Sequence, residues 1–205
     1  MTAMDFPSLH TAILAAGPST RFGSPKQLIR VAGTPVLHWC VSNAARAAGT
    51  SVTVVLGAGA SGIAPLLRRS GASITVNRDW AEGLASTVRS AVHGCPPGTE
   101  GLMLLLADQV AVTVEDLRRL VAVWRRNADL IAAALYQGAA GLPAIFPAWA
   151  FADLAGLRGE DDPRLLLYRH ADRVIRLPMP AASVDIDTPE DLLSIGETPT
   201  GRAGP

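Results

Sequence analysis

The chain of 205 residues carries 18 basic and 18 acidic side chains and has a formal net charge of zero at pH 7. Hydrophobic residues make up 49% of it, ample for one core, and the balanced charge offers no electrostatic footprint for nucleic acid or an anionic membrane. No apolar run approaches the roughly 20 residues that span a bilayer and no basic-then-apolar leader opens the chain, so a cytoplasmic location is expected.

Strand-length apolar runs at Thr11 to Ala15, Val52 to Leu56, Ser73 to Val76, Leu102 to Leu106 and Leu130 to Leu135 alternate with helical patterns at Pro35 to Ala48, Ile63 to Ser70, Leu84 to Val92 and Val114 to Asn127. In the last of these, Leu117, Leu120, Val121 and Trp124 follow the spacing of a core-facing stripe. This alternation predicts an α/β fold with a mainly parallel sheet covered on both faces. From about Gly138 the pattern turns irregular: a strand at Pro143 to Pro147, a helix at Pro163 to His170, and short strands at Val174 to Leu177 and Val184 to Ile186. Thr34-Pro35 and Thr188-Pro189-Glu190-Asp191 read as helix starts with threonine as N-cap. The expected organisation is one domain over residues 8–196, its first half binding nucleotide and its second half an acceptor. The Gly/Pro/Thr-rich tail 197–205 is expected to be disordered.

The densest chemistry lies early, where the first apolar run meets Gly17-Pro18-Ser19-Thr20-Arg21-Phe22-Gly23-Ser24-Pro25-Lys26. Glycines at 17 and 23 permit positive φ and close backbone approach, loop N–H groups can turn inward, and Arg21 and Lys26 add positive charge. That is the chemistry of a triphosphate cradle, although the spacing matches neither a P-loop nor a dinucleotide fingerprint. A carboxylate, Asp108, follows the strand Leu102 to Leu106, at the edge where open α/β sheets bind ligands, and a metal-bound triphosphate needs such a group. Period-two alternation puts Asp185 and Asp187 on one face of an extended segment. In the stretch Asn77 to Val88, Gly83 permits close approach and Ser86 or Thr87 offers a hydroxyl near a helix start. Cys40 and Cys95 stand apart without metal-ligand spacing, and the histidines 10, 38, 93 and 170 lack a nucleophile partner. Neither a zinc site nor acyl-transfer chemistry is expected.

Leu14-Ala15-Ala16-Gly17, Arg21-Phe22-Gly23 and Lys26 together resemble the signature loop of nucleotidyltransferases with the GT-A-like, Rossmann-like three-layer fold, and most closely that of the molybdenum cofactor cytidylyltransferase family (MobA-like). Ala107-Asp108-Gln109, Asp185-Ile186-Asp187-Thr188-Pro189-Glu190-Asp191-Leu192 and Asn77-Arg78-Asp79-Trp80 through Gly83 and Ser86 are similar to further motifs of that family. The resemblance implies that backbone at Leu14, Ala15, Ala16 and Gly17 approaches base and phosphates, with Asn77, Gly83 and Ser86 on the nucleotide side. It implies that Arg21 and Lys26 contact the triphosphate and that Asp108, with Asp187 or Asp185, holds Mg2+. The donor would be CTP, the acceptor a molybdopterin-type molybdenum cofactor, and a molybdenum hydroxylase would receive the product. Gly141-Leu142-Pro143 departs from the family's Gly-His-Pro, and Arg164 matches a segment that touches an acceptor phosphate. The same chemistry with GTP or with a sugar or alditol phosphate, and a non-catalytic cofactor carrier, are the rival readings.

Overall fold

All seven residues of Leu9–Ala15 are buried, as a strand must be when both faces of its sheet are covered. In the computed structural model, which describes residues 6–19, 25–31 and 33–185, this run is β1. It is followed by β2 (Arg30–Val31), β3 (Thr34–Pro35), α1 (Val36–Ala48), β4 (Val52–Leu56), α2 (Ala60–Ile63), β5 (Ser73–Val76), α3 (Leu84–His93) and β6 (Gly101–Leu106). Then come α4 (Val114–Arg125), β7 (Ile131–Tyr136), β8 (Ala139–Pro147), α5 (Phe151–Gly156), α6 (Arg164–Arg169) and β9 (Val174–Pro178). A seven-stranded sheet has the order β5-β4-β1-β6-β8-β7-β9, while β2 and β3 form a separate ribbon. Only β8 runs against its neighbours within the large sheet.

Alternation along the central strands builds two cores. Ile13 and Ala15 of β1 and Met103 and Leu105 of β6 face α1 and α4, whereas Ala12, Leu14, Leu102 and Leu104 face α3, α5 and α6. The stripe expected on α4 is buried in full, with Trp124 at 0% exposure. Gly101 lies directly under that indole: a Cβ there would come within 2.3 Å of Trp124. Helix α4 starts with a reciprocal capping box, in which Asp116 N–H donates to Thr113 Oγ1 at 3.2 Å and Thr113 N–H to Asp116 Oδ2 at 3.1 Å.

Several expectations change. Thr34 does not cap α1; Thr34-Pro35 is strand β3, and no side-chain cap bond forms at the helix start. The helix expected over Ile63 to Ser70 is α2 at Ala60–Ile63 followed by a tight 3₁₀ segment at Ala64–Leu67. Pro65, which lacks an N–H and is confined in φ, falls inside the expected span. Strand β8 begins four residues earlier than expected because a bulge accommodates Leu142-Pro143, with Ala133 opposite Ala144 and Ala134 opposite Gly141. Val184 and Asp185 are not in a strand. The second helix start, Thr188-Pro189, and the tail 197–205 lie outside the described residues. Among the described residues no helix is long and apolar enough to cross a membrane.

At the opposite end of the sheet from the site described below, His10 is buried in β1, with Nδ1 3.1 Å from Ser51 Oγ and Nε2 3.0 Å from Thr53 Oγ1. Burial lowers its pKa from the ordinary 6.5. The folded state therefore prefers the neutral ring. The resulting stability is present above pH 6.5 and is lost as pH falls from there through the lowered folded value. Thermal melts between pH 7.5 and 5 should fall more steeply for wild type than for His10→Gln. Parallel curves would exclude this ring as an acid-labile point.

Candidate active site

The C-terminal end of β1 is where the sheet's connections diverge, with β4 on one side and β6 on the other, the position at which open parallel sheets bind ligands. Beyond it Ala16, Gly17 and Pro18 form one wall of a cavity of about 350 Å3, and Leu106, Ala107 and Asp108 at the end of β6 form another. The loop is held from beneath by Gln27, whose Nε2 donates to Ala15 O at 3.0 Å and to Gly17 O at 3.3 Å. Lys26 N–H donates to Ser19 Oγ at 3.1 Å, and Lys26 Nζ forms an ion pair with Asp108 Oδ2. The expected positive φ is not found at Gly17. A Cβ there would nevertheless meet nothing within 4 Å, so Gly17 leaves room on the cavity side instead.

The second oxygen of Asp108, Oδ1, is buried and has no hydrogen-bond partner among the described residues. An ionised carboxylate oxygen left in this way calls for a cation or a donor. Such an oxygen suits a hard divalent metal. No group of three or more His, Cys, Asp or Glu poised to hold a metal occurs among the described residues. Nearby Cys40 gives no competing nucleophile. Its thiol lies 3.3 Å from Ala107 O and is pushed up to about 12 by burial, with Asp108 adding to the effect.

The far wall comes from Trp80, Ala81, Gly83, Leu84 and Thr87, with Glu160 closing over them. Gly57 makes this wall possible: a Cβ there would lie 2.5 Å from Trp80 Cβ and 2.7 Å from Ala16 O, so loop and indole meet only across a glycine. Gly83 stands at φ 114 and ψ −173, a conformation open essentially to glycine alone. Asn77 and Ser86, expected at the nucleotide, are buried behind this wall and do not line the cavity. Asn77 Nδ2 donates to Ser86 Oγ at 2.8 Å and to Thr87 Oγ1 at 3.2 Å, while Asn77 Oδ1 accepts from Asp79 N–H at 2.9 Å. They brace the turn, and Thr87 presents the surface.

A second cavity of about 160 Å3 shares Leu84 and Leu106 with the first and continues past Tyr136, Leu142, Arg164 and Asp185. Arg164 gives both Nε, at 2.8 Å, and Nη2, at 2.7 Å, to Asp162 Oδ2. Gly141 is not on the cavity wall but lies beneath the Tyr136 ring. The structure thus gathers Lys26, Asp108, Gly83 and the loop Leu14 to Gly17 at one cavity and places Arg164 and Asp185 at its neighbour. Arg21 and Asp187 lie outside the described residues. Gln27, Glu160 and Tyr136 are wall or bracing residues that sequence reading missed. Gln27 at least adjoins a recognised lysine, but Glu160 and Tyr136 carry no local signal.

Comparison with known proteins agrees with this geometry. A family model described as the MobA-like NTP transferase domain matches residues 11–174. The purine catabolism protein PucB of Bacillus subtilis (strain 168) is 30% identical over 200 residues, covering 92% of this chain and 96% of that protein. The crystal structure of Rv0371c from Mycobacterium tuberculosis H37Rv superposes with a TM-score of 0.77 at 29% identity, covering 92% of this chain and 97% of that one, and the same protein has been solved in complex with manganese. The molybdopterin-guanine dinucleotide biosynthesis protein A of Archaeoglobus fulgidus shares the fold, with a TM-score of 0.66 at 16% identity over 90% of this chain and 95% of that one. A loop beside a lone strand-end aspartate, a braced glycine wall and these relatives lead to one assignment: the chain belongs to the MobA-like NTP transferase family and is a nucleotidyltransferase.

Proposed function

We propose that the protein transfers CMP from CTP to the terminal phosphate of a molybdopterin-type cofactor and releases pyrophosphate. The observation that carries this reading is the pair of adjoining cavities that meet at Leu84 and Leu106, two residues before Asp108. A donor in the first cavity, which Asp108 lines, and an acceptor in the second would then meet across a shared wall, so that the acceptor oxygen could be held close to the α-phosphorus. CTP as donor rests on the resemblance of the first loop to the cytidylyltransferase signature. The acceptor rests on that resemblance together with relatives whose names place them in purine catabolism and in molybdopterin dinucleotide synthesis.

In the proposed reaction a phosphate oxygen of the acceptor forms a bond to the α-phosphorus of CTP as the bond from that phosphorus to the bridging oxygen breaks, and the electron pair leaves with pyrophosphate. A phosphate monoester is already anionic near neutral pH, so no general base has to be found in the site. Mg2+, when bound at Asp108, would neutralise triphosphate charge; the manganese complex of the related mycobacterial protein supports a divalent ion. Lys26, released from Asp108, would turn its ammonium to the departing phosphates, and Arg21 is proposed to contribute a second positive charge to them. The Leu14 to Gly17 backbone and the Gly83 turn would hold the base and ribose. Arg164 would face the acceptor, and Asp187 or Asp185 is proposed as a further metal ligand.

The test is product analysis. Purified protein with CTP and Mg2+ is offered molybdenum-loaded molybdopterin or ribitol phosphate, and products are identified by mass. A cytosine dinucleotide of the pterin cofactor is expected. A CDP-alditol instead would move the acceptor to sugar chemistry, and cofactor retention without pyrophosphate release would point to a carrier.

A further inference from the structure

The reaction outlined above gives no task to Tyr136 in the second cavity. Tyr136 ends β7, is half-buried, and its ring rests on the backbone of Gly141 in the neighbouring strand. A Cβ at residue 141 would stand 2.4 Å from Tyr136 Oη, 2.8 Å from Cζ and 2.9 Å from Cε1, distances no side chain tolerates. Glycine at 141 is thus the condition for this ring position. The bulge that follows it is fixed from the centre of the site: Gln109, adjacent to Asp108, donates through Nε2 to Leu142 O at 2.8 Å and to Ala182 O at 2.9 Å. The phenol is therefore held by the same segment that carries the catalytic carboxylate.

Its surroundings determine what it offers. Burial raises the phenol's pKa and Asp185 and Asp162 add to that shift, while Arg164 and a side-chain hydrogen bond with Gln109 oppose it. Tyr136 is a neutral O–H donor throughout the working range. The neighbouring guanidinium already gives two of its donors to Asp162, so this wall orients by hydrogen bonding more than it attracts by charge. That suits the uncharged part of an acceptor, leaving its phosphate to point toward Asp108.

Resting on the reading that the second cavity takes the acceptor, we infer that Tyr136, seated by Gly141, orients that acceptor by donating its phenolic O–H to one of its oxygen atoms. Gly141 acts through Tyr136 and is a positioning residue. The experiment is steady-state pyrophosphate release by the full chain with CTP, using molybdenum-loaded molybdopterin and, in parallel, ribitol phosphate as acceptors. Loss of one hydrogen bond predicts that Tyr136→Phe raises the KM of the accepted compound about 3- to 10-fold, with the KM for CTP unchanged within about twofold. Gly141→Ala should act in the same direction, and the double variant should cost less than the product of the two singles, because both disturb one contact. An unchanged acceptor KM in a folded Tyr136→Phe protein, or an equal rise in the KM for CTP, overturns the inference. Turnover with ribitol phosphate alone would overturn the molybdopterin reading while leaving Tyr136 to be judged on ribitol phosphate. Silence of wild type with both acceptors would overturn the assignment of this cavity and the role of Tyr136 with it.

Discussion

Asp108→Asn is expected to lower the rate of pyrophosphate release by about 10²–10³-fold, the scale on which single preorganised electrostatic groups contribute to charged transition states. The substitution keeps shape and volume at the end of β6 but removes the negative charge that pairs with Lys26 Nζ and that the buried Oδ1, unpartnered among the described residues, would share with a cation. The fold should survive. Lys26 and Asp108 side chains are 23% and 15% exposed, so water can reach the ammonium, and the strand beneath is held by backbone pairing to β1 and β8. Melting within a few degrees of wild type with activity nearly abolished is therefore the expected pair of results. A variant retaining more than a tenth of wild-type turnover would remove Asp108 from the chemistry.

Gly83→Ala should act on stability and ligand binding together. At φ 114 an L-residue is strained by about 1–3 kcal/mol, and the new methyl would lie 2.5 Å from Gly159 O and 2.8 Å from Glu160 Oε1. Gly159 O also accepts from Ala85 N–H at 3.2 Å. The seam between the turn at 80–85 and the loop at 157–162 would have to open, and both sides of that seam line the first cavity. We expect a loss of roughly 3 kcal/mol or more, some 6–12 °C in melting temperature for a chain of this size, with CTP affinity reduced at least about tenfold. Gly17→Ala is the contrasting control. Its added Cβ meets nothing within 4 Å, so stability should hold while nucleotide binding weakens. Equal melting temperatures for Gly83→Ala and wild type would show that the seam is slack.

The contrast between these glycines illustrates what a sequence shows. Strands β4 and β5 were legible to the residue because an apolar run bounded by polar turns allows few alternatives, and α4 was legible because four large side chains mark one face. What escaped was decided by distant partners. Pro143 reads as a strand start, yet β8 begins at Ala139 because a bulge opposite Ala133 and Ala134 absorbs the proline. Helix α5 is only six residues long and lacks a side-chain cap, so no local feature announces it.

The site divides in the same way. Gly17, Lys26 and Asp108 sit in contiguous motifs at strand ends, where chemistry and chain direction coincide. Asn77 and Ser86 are polar and close in sequence, and nothing in their spacing reveals that they satisfy each other behind the wall instead of facing a ligand. Tyr136 and Glu160 become wall residues only when the second half of the chain folds over the first. Gly141 shows no purpose until the ring above it is seen.

Cytidylyl transfer at this pair of cavities is open to direct assay. The assay is pyrophosphate release by the purified protein with Mg2+ and molybdenum-loaded molybdopterin, offered CTP, GTP, ATP and UTP in turn. Acceptor-dependent release is expected with CTP and none of comparable rate with the other three, and it should be lost in Asp108→Asn. Release with GTP in preference to CTP, or release at the same rate when the acceptor is omitted, would contradict cytidylyl transfer.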